Sequence, residues 1–119
     1  MKYLLSILFS MMLFQSWAHE IRPAYLQLTE NKDKSIDIWW KQPIMGDYSL
    51  PLYPHISSGW MKDSTAAINY TETYLIKQWH IPADHQPLEG QVIKIDGLDK
   101  TITDALISIV YADGNTASY

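Results

Sequence analysis

The sequence predicts a small all-β protein, an antiparallel β-sandwich of the immunoglobulin-like kind that follows an N-terminal signal helix. Three observations support this class. After residue 18 the apolar residues alternate with polar ones in short runs, which is typical of half-buried strands. Clusters of turn-forming residues separate these runs, and no convincing stretch has the 3.6-residue period of a helix. The chain has 119 residues, enough for one domain.

The first eighteen residues have the order of a secretory signal peptide. Lys2 supplies a positive charge, residues 3–14 are almost wholly apolar, and small residues stand at Ser16 and Ala18. The apolar run of about 12 residues is shorter than the roughly 20 needed to cross a bilayer, although an uncleaved anchor remains an alternative. We expect cleavage after Ala18, which makes residues 19–119 a periplasmic or other extracytoplasmic domain.

Six segments of this domain have the pattern of strands. In "AYLQLT" (24–29) and "SIDIWWK" (35–41) every second residue is apolar. "YSLPLY" (48–53) contains Pro51, which cannot donate a ladder hydrogen bond and therefore favours an edge position. The remaining predicted strands are 69–81, which is one long or bent strand, 91–96 and 105–111.

Two glycines mark predicted turns. Gly97 in "DGLDK" is expected to adopt a positive φ angle. Asp113-Gly114 is a strong signal for a tight hairpin, yet only residues 115–119 follow it. Either a very short edge strand closes the fold or the domain is truncated at its C-terminal end, and we favour truncation.

The core has to be stabilised without disulfides. The sequence contains no cysteine, although small exported domains often depend on disulfides, and it contains five Trp and eight Tyr. The absence of cysteine also excludes a thiol nucleophile and a thiolate metal site. The residues predicted to form the core are Leu26, Leu28, Ile38, Trp40, Ile93, Ile95, Ile107 and Ile109.

The charge balance argues against nucleic acid and anionic lipid as partners. Nine Lys and Arg residues stand against thirteen Asp and Glu residues, so the net charge is −4, and removal of Lys2 with the leader makes it one unit more negative. Nucleic acids and anionic lipid surfaces are bound by clustered Lys and Arg. We therefore expect no nucleic-acid partner, and the sequence has no direct lipid-binding signal.

Three segments form a distinctive set: "AHEIRPAYLQLTE" (18–30), "WWKQPIMGDYSLPLY" (39–53) and "LEGQVIKIDGLDKTITDALISIVYADG" (88–114). In this order they resemble the N-terminal exported region of HupE/UreJ-like membrane proteins. Members of that family have an extracytoplasmic β-rich domain followed by membrane-spanning helices similar to nickel or cobalt permeases. The resemblance implies an ectodomain accessory to metal transport. Its partner would be a permease-like membrane segment, in the same polypeptide if this chain is a fragment, that tethers the full-length protein.

Four residues are candidate metal ligands. Cleavage after Ala18 would give His19 a free α-amino group beside its imidazole, and this pair with one further imidazole suits Cu(II) or, less tightly, Ni(II). "HIPADH" contains His80, Asp84 and His85. The alternative is a frayed terminus and a solvated loop. No cofactor is certain, and Ni(II) and Cu(II) are the candidates.

Trp39 and Trp60 are candidates for a contact surface. Side chains alternate along a strand, so at most one of Trp39 and Trp40 points into the core. The aromatic residues can either line a carbohydrate- or peptide-binding face or fill the core.

Catalysis has little support, because the sequence contains no nucleophile elbow, HExxH motif, phosphate loop or dinucleotide fingerprint. We therefore expect no enzymatic activity. The leading hypothesis is an accessory ectodomain. The alternatives are a periplasmic Cu/Ni-binding domain that uses His19 and a metal-independent ligand-binding or adhesion β-sandwich.

Overall fold

A computed structural model describes residues 22–45, 48–49, 51–101 and 103–119. The predicted leader and His19 lie outside these residues. Within the described ranges the chain forms a seven-stranded sheet and a two-stranded sheet that pack together. This confirms the predicted small all-β sandwich. In the same part of the chain, no helix has the length and apolar character needed to span a membrane.

The strands are β1 (Ala24–Glu30), β2 (Ile36–Met45), β3 (Tyr48–Ser49), β4 (Tyr53–Ile56), β5 (Ala67–Tyr70), β6 (Tyr74–Ile81), β7 (Ile93–Asp96), β8 (Ala105–Val110) and β9 (Thr116–Ser118). One helical turn, α1 (Trp60–Asp63), follows β4, and a single 3-10 turn (Leu98–Lys100) follows β7. The large sheet has the order β5-β6-β2-β1-β8-β9, with β3 paired to β2, and β4 and β7 form the small sheet.

Among the described strands, every pair is antiparallel except one. β1 and β8 run parallel, with Leu26 opposite Ile107 and Leu28 opposite Ile109. The other six pairs, including β1 with β2 and β2 with β6, are antiparallel. A parallel pair needs a long connection. Here almost the whole domain lies between β1 and β8, so this requirement is met.

Alternation along β1 and β2 separates an inner from an outer side of the large sheet. Ala24, Leu26 and Leu28 are buried, whereas Tyr25 and Gln27 between them are exposed. β2 repeats the pattern in register with β1, because Leu26 lies opposite Trp40 and Leu28 opposite Ile38. The inner side of the sheet is therefore continuously apolar.

The core confirms most of the predicted set. The predicted residues that are buried are Leu26, Leu28, Ile38, Trp40 and Ile109, and those partly buried against them are Ile93, Ile95 and Ile107. Leu52, Ile56, Trp60 and Leu88 complete the core from the side of the small sheet. One polar pair lies inside: the Trp40 Nε1–H donates to Gln42 Oε1 over 2.8 Å. This bond satisfies an indole donor that would otherwise be costly to bury.

Two hairpins have connections of the same length, the five residues 31–35 and the five residues 111–115. Between β1 and β2 the loop closes with Lys34 at φ 76°, and between β8 and β9 it closes with Gly114 at φ 88°. Left-handed backbone is unfavourable for lysine. Asp33 offsets part of this cost, because its Oδ1 accepts hydrogen bonds from the N–H (3.0 Å) and the hydroxyl (2.5 Å) of Ser35. The predicted hairpin at Asp113-Gly114 is confirmed, and β9 is its short second strand.

Two predicted strands differ in the structure. The segment 69–81 is divided into β5 and β6, because Thr71 Oγ1 accepts a hydrogen bond from the Tyr74 N–H (2.9 Å) and turns the chain. The segment 48–53 is divided as well: Pro51 and Leu52 lie outside the strands, and Leu52 is buried.

Candidate functional site

The site is the side of the large sheet that faces away from the small sheet. Its central row runs across four strands as Ser108, Gln27, Trp39 and Gln78. The same register places the other residues of this side in the rows before and after the central one. We call this surface the outer face and define it by Tyr25, Gln27, Asp37, Trp39, Lys41, Gln78, His80, Leu106 and Ser108.

Three large apolar side chains are exposed on the outer face. Trp39 is 47% exposed, Leu106 48% and Tyr25 40%. Trp40, the next residue along β2, is fully buried, so the prediction that at most one of the two indoles enters the core is confirmed. Tyr25 lies directly opposite Leu106 and one row from Trp39. Exposed apolar residues that cluster in this way are typical of a contact surface.

A charge-assisted hydrogen bond borders the indole of Trp39. His80 Nδ1 lies 2.7 Å from Asp37 Oδ1, and Asn31 Nδ2 donates to Asp37 Oδ2 over 3.0 Å. These two hydrogen bonds hold the pKa of Asp37 below its ordinary value, and the bond from His80 has the larger effect. An ionised carboxylate only accepts, so Nδ1 is the donor. The His80 side chain is 63% exposed, and its Nε2 has no hydrogen-bond partner among the described residues.

Lys41 occupies the opposite border. Its ammonium group lies 4.3 Å from the centroid of the Tyr74 ring, and the Arg22 guanidinium lies 5.2 Å from the same centroid. Cations at these distances are attracted to the negative face of the ring. The contact holds the charge of Lys41 beside Tyr74, at one end of the outer face.

The candidate metal ligands have different surroundings. His85 Nε2 lies 2.6 Å from the Lys34 carbonyl oxygen and its Nδ1 lies 2.5 Å from that of Gln86. Both ring nitrogens of His85 therefore face main-chain carbonyl oxygens, and neither is directed towards Asp84 or another candidate ligand. Asp84 is exposed, and His19 lies outside the described residues. Among the residues that are described, no three His, Asp or Glu side chains form a group that could hold a metal ion.

Trp60 is placed in the core, and this corrects the expectation that it belongs to a contact surface. Only 6% of it is exposed. Its Nε1–H donates to Gln86 Oε1 over 2.9 Å, and its ring meets the ring of His85 edge to face at 5.0 Å. Trp60 therefore anchors the 82–88 loop and has no surface to offer to a partner.

A shallow, open cavity of about 400 Å³ lies beside Trp39. Asp37, Gln78 and His80 line it together with Thr65, which precedes β5. Analysis of the sequence did not identify Gln27, Gln78 or Thr65, because they are brought to Trp39 only by the pairing of β1 and β6 with β2 and of β5 with β6. Comparison of the chain with protein-family models, with characterised proteins and with solved structures gives no match.

Proposed function

We propose that this chain is a non-catalytic extracytoplasmic domain that acts by binding through its outer face. The observation that carries this proposal is the joint exposure of Tyr25, Trp39 and Leu106 on one open side of a sheet. Removing such apolar surface from water contributes about 25 cal/mol for each Å². Exposed aromatic rings with polar neighbours are the composition of binding surfaces more often than of ordinary solvated surface.

The resemblance to HupE/UreJ-like proteins supports a more specific role. The domain would be accessory to a nickel or cobalt permease-like membrane segment, carried by the same polypeptide in the full-length protein. The signal-peptide pattern of residues 1–18 supports export, which would place the domain beside the extracytoplasmic mouth of such a segment.

The test is nickel accumulation by the producing cell. The chromosomal gene is altered to Trp39→Ala, to Leu106→Ala, or to both, and uptake of radioactive Ni(II) is measured. We expect uptake to fall with each change and most with the double change. Tyr53→Ala is the matched control, because Tyr53 is 56% exposed but lies on the small sheet. Uptake that is the same in the parent strain and in the three outer-face variants contradicts the accessory role.

A second candidate function is supported by the orientation of His80. Histidine ligands of metals commonly donate their other ring N–H to a carboxylate, and His80 has this arrangement with Asp37. Its exposed Nε2 and the amine and imidazole of His19 would form a Cu(II) or Ni(II) site if cleavage follows Ala18.

Mass spectrometry and a metal titration test this second candidate. The intact mass of the exported protein is expected to be that of a chain whose first residue is His19. One extra Ala inserted before His19 keeps every side chain but moves the free amine, and it should weaken Cu(II) binding at least tenfold, as should His80→Ala. Equal affinity of the native and Ala-extended proteins would contradict the metal site.

A further inference from the structure

We propose that the outer face binds a neutral oligosaccharide, with the indole of Trp39 as the platform on which a sugar ring stacks. This inference rests on the binding role proposed above and names its ligand class. The face combines an exposed flat aromatic ring with side chains that both donate and accept hydrogen bonds. A pyranose ring needs this combination, because it has an apolar C–H face and a rim of hydroxyl groups.

The neighbours of Trp39 fit the hydroxyl rim. Gln27 and Gln78 lie directly opposite Trp39 on the two adjacent strands, one on each side of the indole. Each amide has two N–H donors and a carbonyl acceptor, which matches hydroxyl groups that also donate and accept. An apolar ring with hydrogen-bonding groups at its edge is the usual composition of a site that fixes the orientation of a small ligand.

Asp37 and His80 add a second, pre-oriented group at one border of the indole. The hydrogen bonds from His80 and Asn31 hold the Asp37 carboxylate in place, so little side-chain entropy is lost when a ligand binds. An ionised carboxylate can accept further hydrogen bonds from hydroxyl groups, and these bonds are stronger than neutral ones. The adjoining cavity of about 400 Å³ is within the size range of small-molecule sites.

The strand pairing favours a sugar over an extended peptide. Peptides commonly bind β proteins by adding a strand to a sheet edge through main-chain hydrogen bonds. Trp39 lies on β2, which is paired on both sides by β1 and β6. The backbone beneath the outer face is therefore already used, and a ligand there must be recognised by side chains.

The charge of the chain favours a neutral sugar. The net charge is −4, and removal of Lys2 with the leader lowers it further. On the outer face itself, the cation of Lys41 stands at one border and the anion of Asp37 at the other. A polyanionic glycan would be repelled by the net negative charge of the chain, and it would meet the positive charges of Lys41 and Arg22 only at one border of the face.

The test is titration of the exported protein with three neutral probes, chitohexaose, cellohexaose and maltohexaose. Tryptophan fluorescence and amide NMR shifts report binding. We expect at least one probe to saturate with a dissociation constant between about 10 μM and 1 mM. Trp39→Ala should weaken binding at least tenfold, Trp39→Phe by less, and Gln78→Leu by a few fold. Tyr53→Ala, the control on the small sheet, should change it less than twofold.

The proposal would be overturned by the absence of a saturable signal with any probe up to about 10 mM, or by binding that Trp39→Ala leaves intact. A decapeptide that binds at Trp39 while the sugars do not would also overturn it. If nickel uptake depends on Trp39 but no sugar binds, the sugar proposal fails and the accessory role stands. If a sugar binds but Trp39→Ala leaves nickel uptake unchanged, the accessory role fails and the sugar site stands.

Discussion

At the scale of single residues, the hydrogen bonds of Asp37 lower the pKa of the carboxyl group at one border of the outer face. The pKa of Asp37 is lowered chiefly by the hydrogen bond from His80 and next by that from Asn31. His80→Ala should therefore raise the pKa of Asp37 more than Asn31→Ala does. Carboxyl ¹³C chemical shifts followed across pH measure both. An Asp37 pKa that is unchanged by His80→Ala would mean that the two side chains do not interact in solution.

Gly97 is a second residue whose identity is fixed by geometry. Its φ is +96°, and a Cβ built on it would lie 2.1 Å from the Pro51 carbonyl oxygen, a separation that real structures essentially never show. Gly97→Ala would suffer both backbone strain and a clash with main-chain atoms. We expect a loss of stability above about 3 kcal/mol, since left-handed backbone alone costs about 1–3 kcal/mol.

Gly90 provides the matched control for Gly97. Its φ is +80°, but nothing lies within 4 Å of the position that a Cβ would take. Gly90→Ala should therefore cost only the conformational part, about 1 kcal/mol. Urea denaturation of both variants separates strain from clash. Equal losses would show that the segment containing Pro51 moves aside.

At the scale of elements, the two faces of β8 should differ in how well they tolerate a charged substitution. Ile109 points into the core and is 7% exposed, whereas Leu106 belongs to the outer face and is 48% exposed. Ile109→Asp would bury an unpaired charge and should remove several of the roughly 5–15 kcal/mol that stabilise a domain. Leu106→Asp should change stability by less than about 1 kcal/mol. Thermal melts distinguish the two, and similar losses would mean that the outer face is covered in solution.

β5 is an edge strand with few of the features that protect such edges. All four of its residues are exposed, Ile68 to 53% and Tyr70 to 72%, and it contains no charge and no proline. Edges of this kind pair readily with other chains. Ile68→Lys should reduce self-association at high protein concentration while the fold is retained. Light scattering measures this, and unchanged association would show that β5 is not the contact.

The alternation of apolar and polar residues predicted the strands in which that alternation is regular. Alternation in β1 and β2 identified Leu26, Leu28, Ile38 and Trp40 as core, and the burial of these residues confirms it. The break at Thr71 was missed, because threonine and tyrosine favour strands and the hydroxyl that turns the chain gives no periodic signal. Trp60 was misplaced because an aromatic residue in a turn-rich segment does not reveal what packs over it.

At the scale of the whole molecule, the candidate site depends on pairing between distant segments. Gln78 reaches Trp39 only because β6 pairs with β2, and Leu106 reaches Tyr25 only because β8 pairs in parallel with β1. The sequence pattern gives the face of each strand but carries no information on which strand lies beside it. Analysis of the sequence could therefore propose Trp39 as a contact residue but could not supply its neighbours.

The acid stability of the whole domain follows from three carboxylates on different elements. The pKa values of Asp33, Asp37 and Asp96 are all lowered from the ordinary value of 3.8. The main cause in each case is a hydrogen bond, which comes from Ser35, His80 and Lys94, respectively. A carboxyl group with a lowered pKa in the folded state stabilises that state above its unfolded pKa. As pH falls below that value the unfolded chain takes up protons first, so this stabilisation is lost until the folded pKa is passed.

We therefore expect the free energy of unfolding to be insensitive to these three groups above about pH 5 and to fall steadily from about pH 4 downwards. Urea denaturation at a series of pH values measures the slope. Asp37→Asn and Asp96→Asn should each flatten it, because each removes one group that binds protons differently in the two states. The two substitutions lie on different sheets, so their effects should add. A stability that stays constant between pH 5 and pH 2.5 would mean that these hydrogen bonds do not persist in solution.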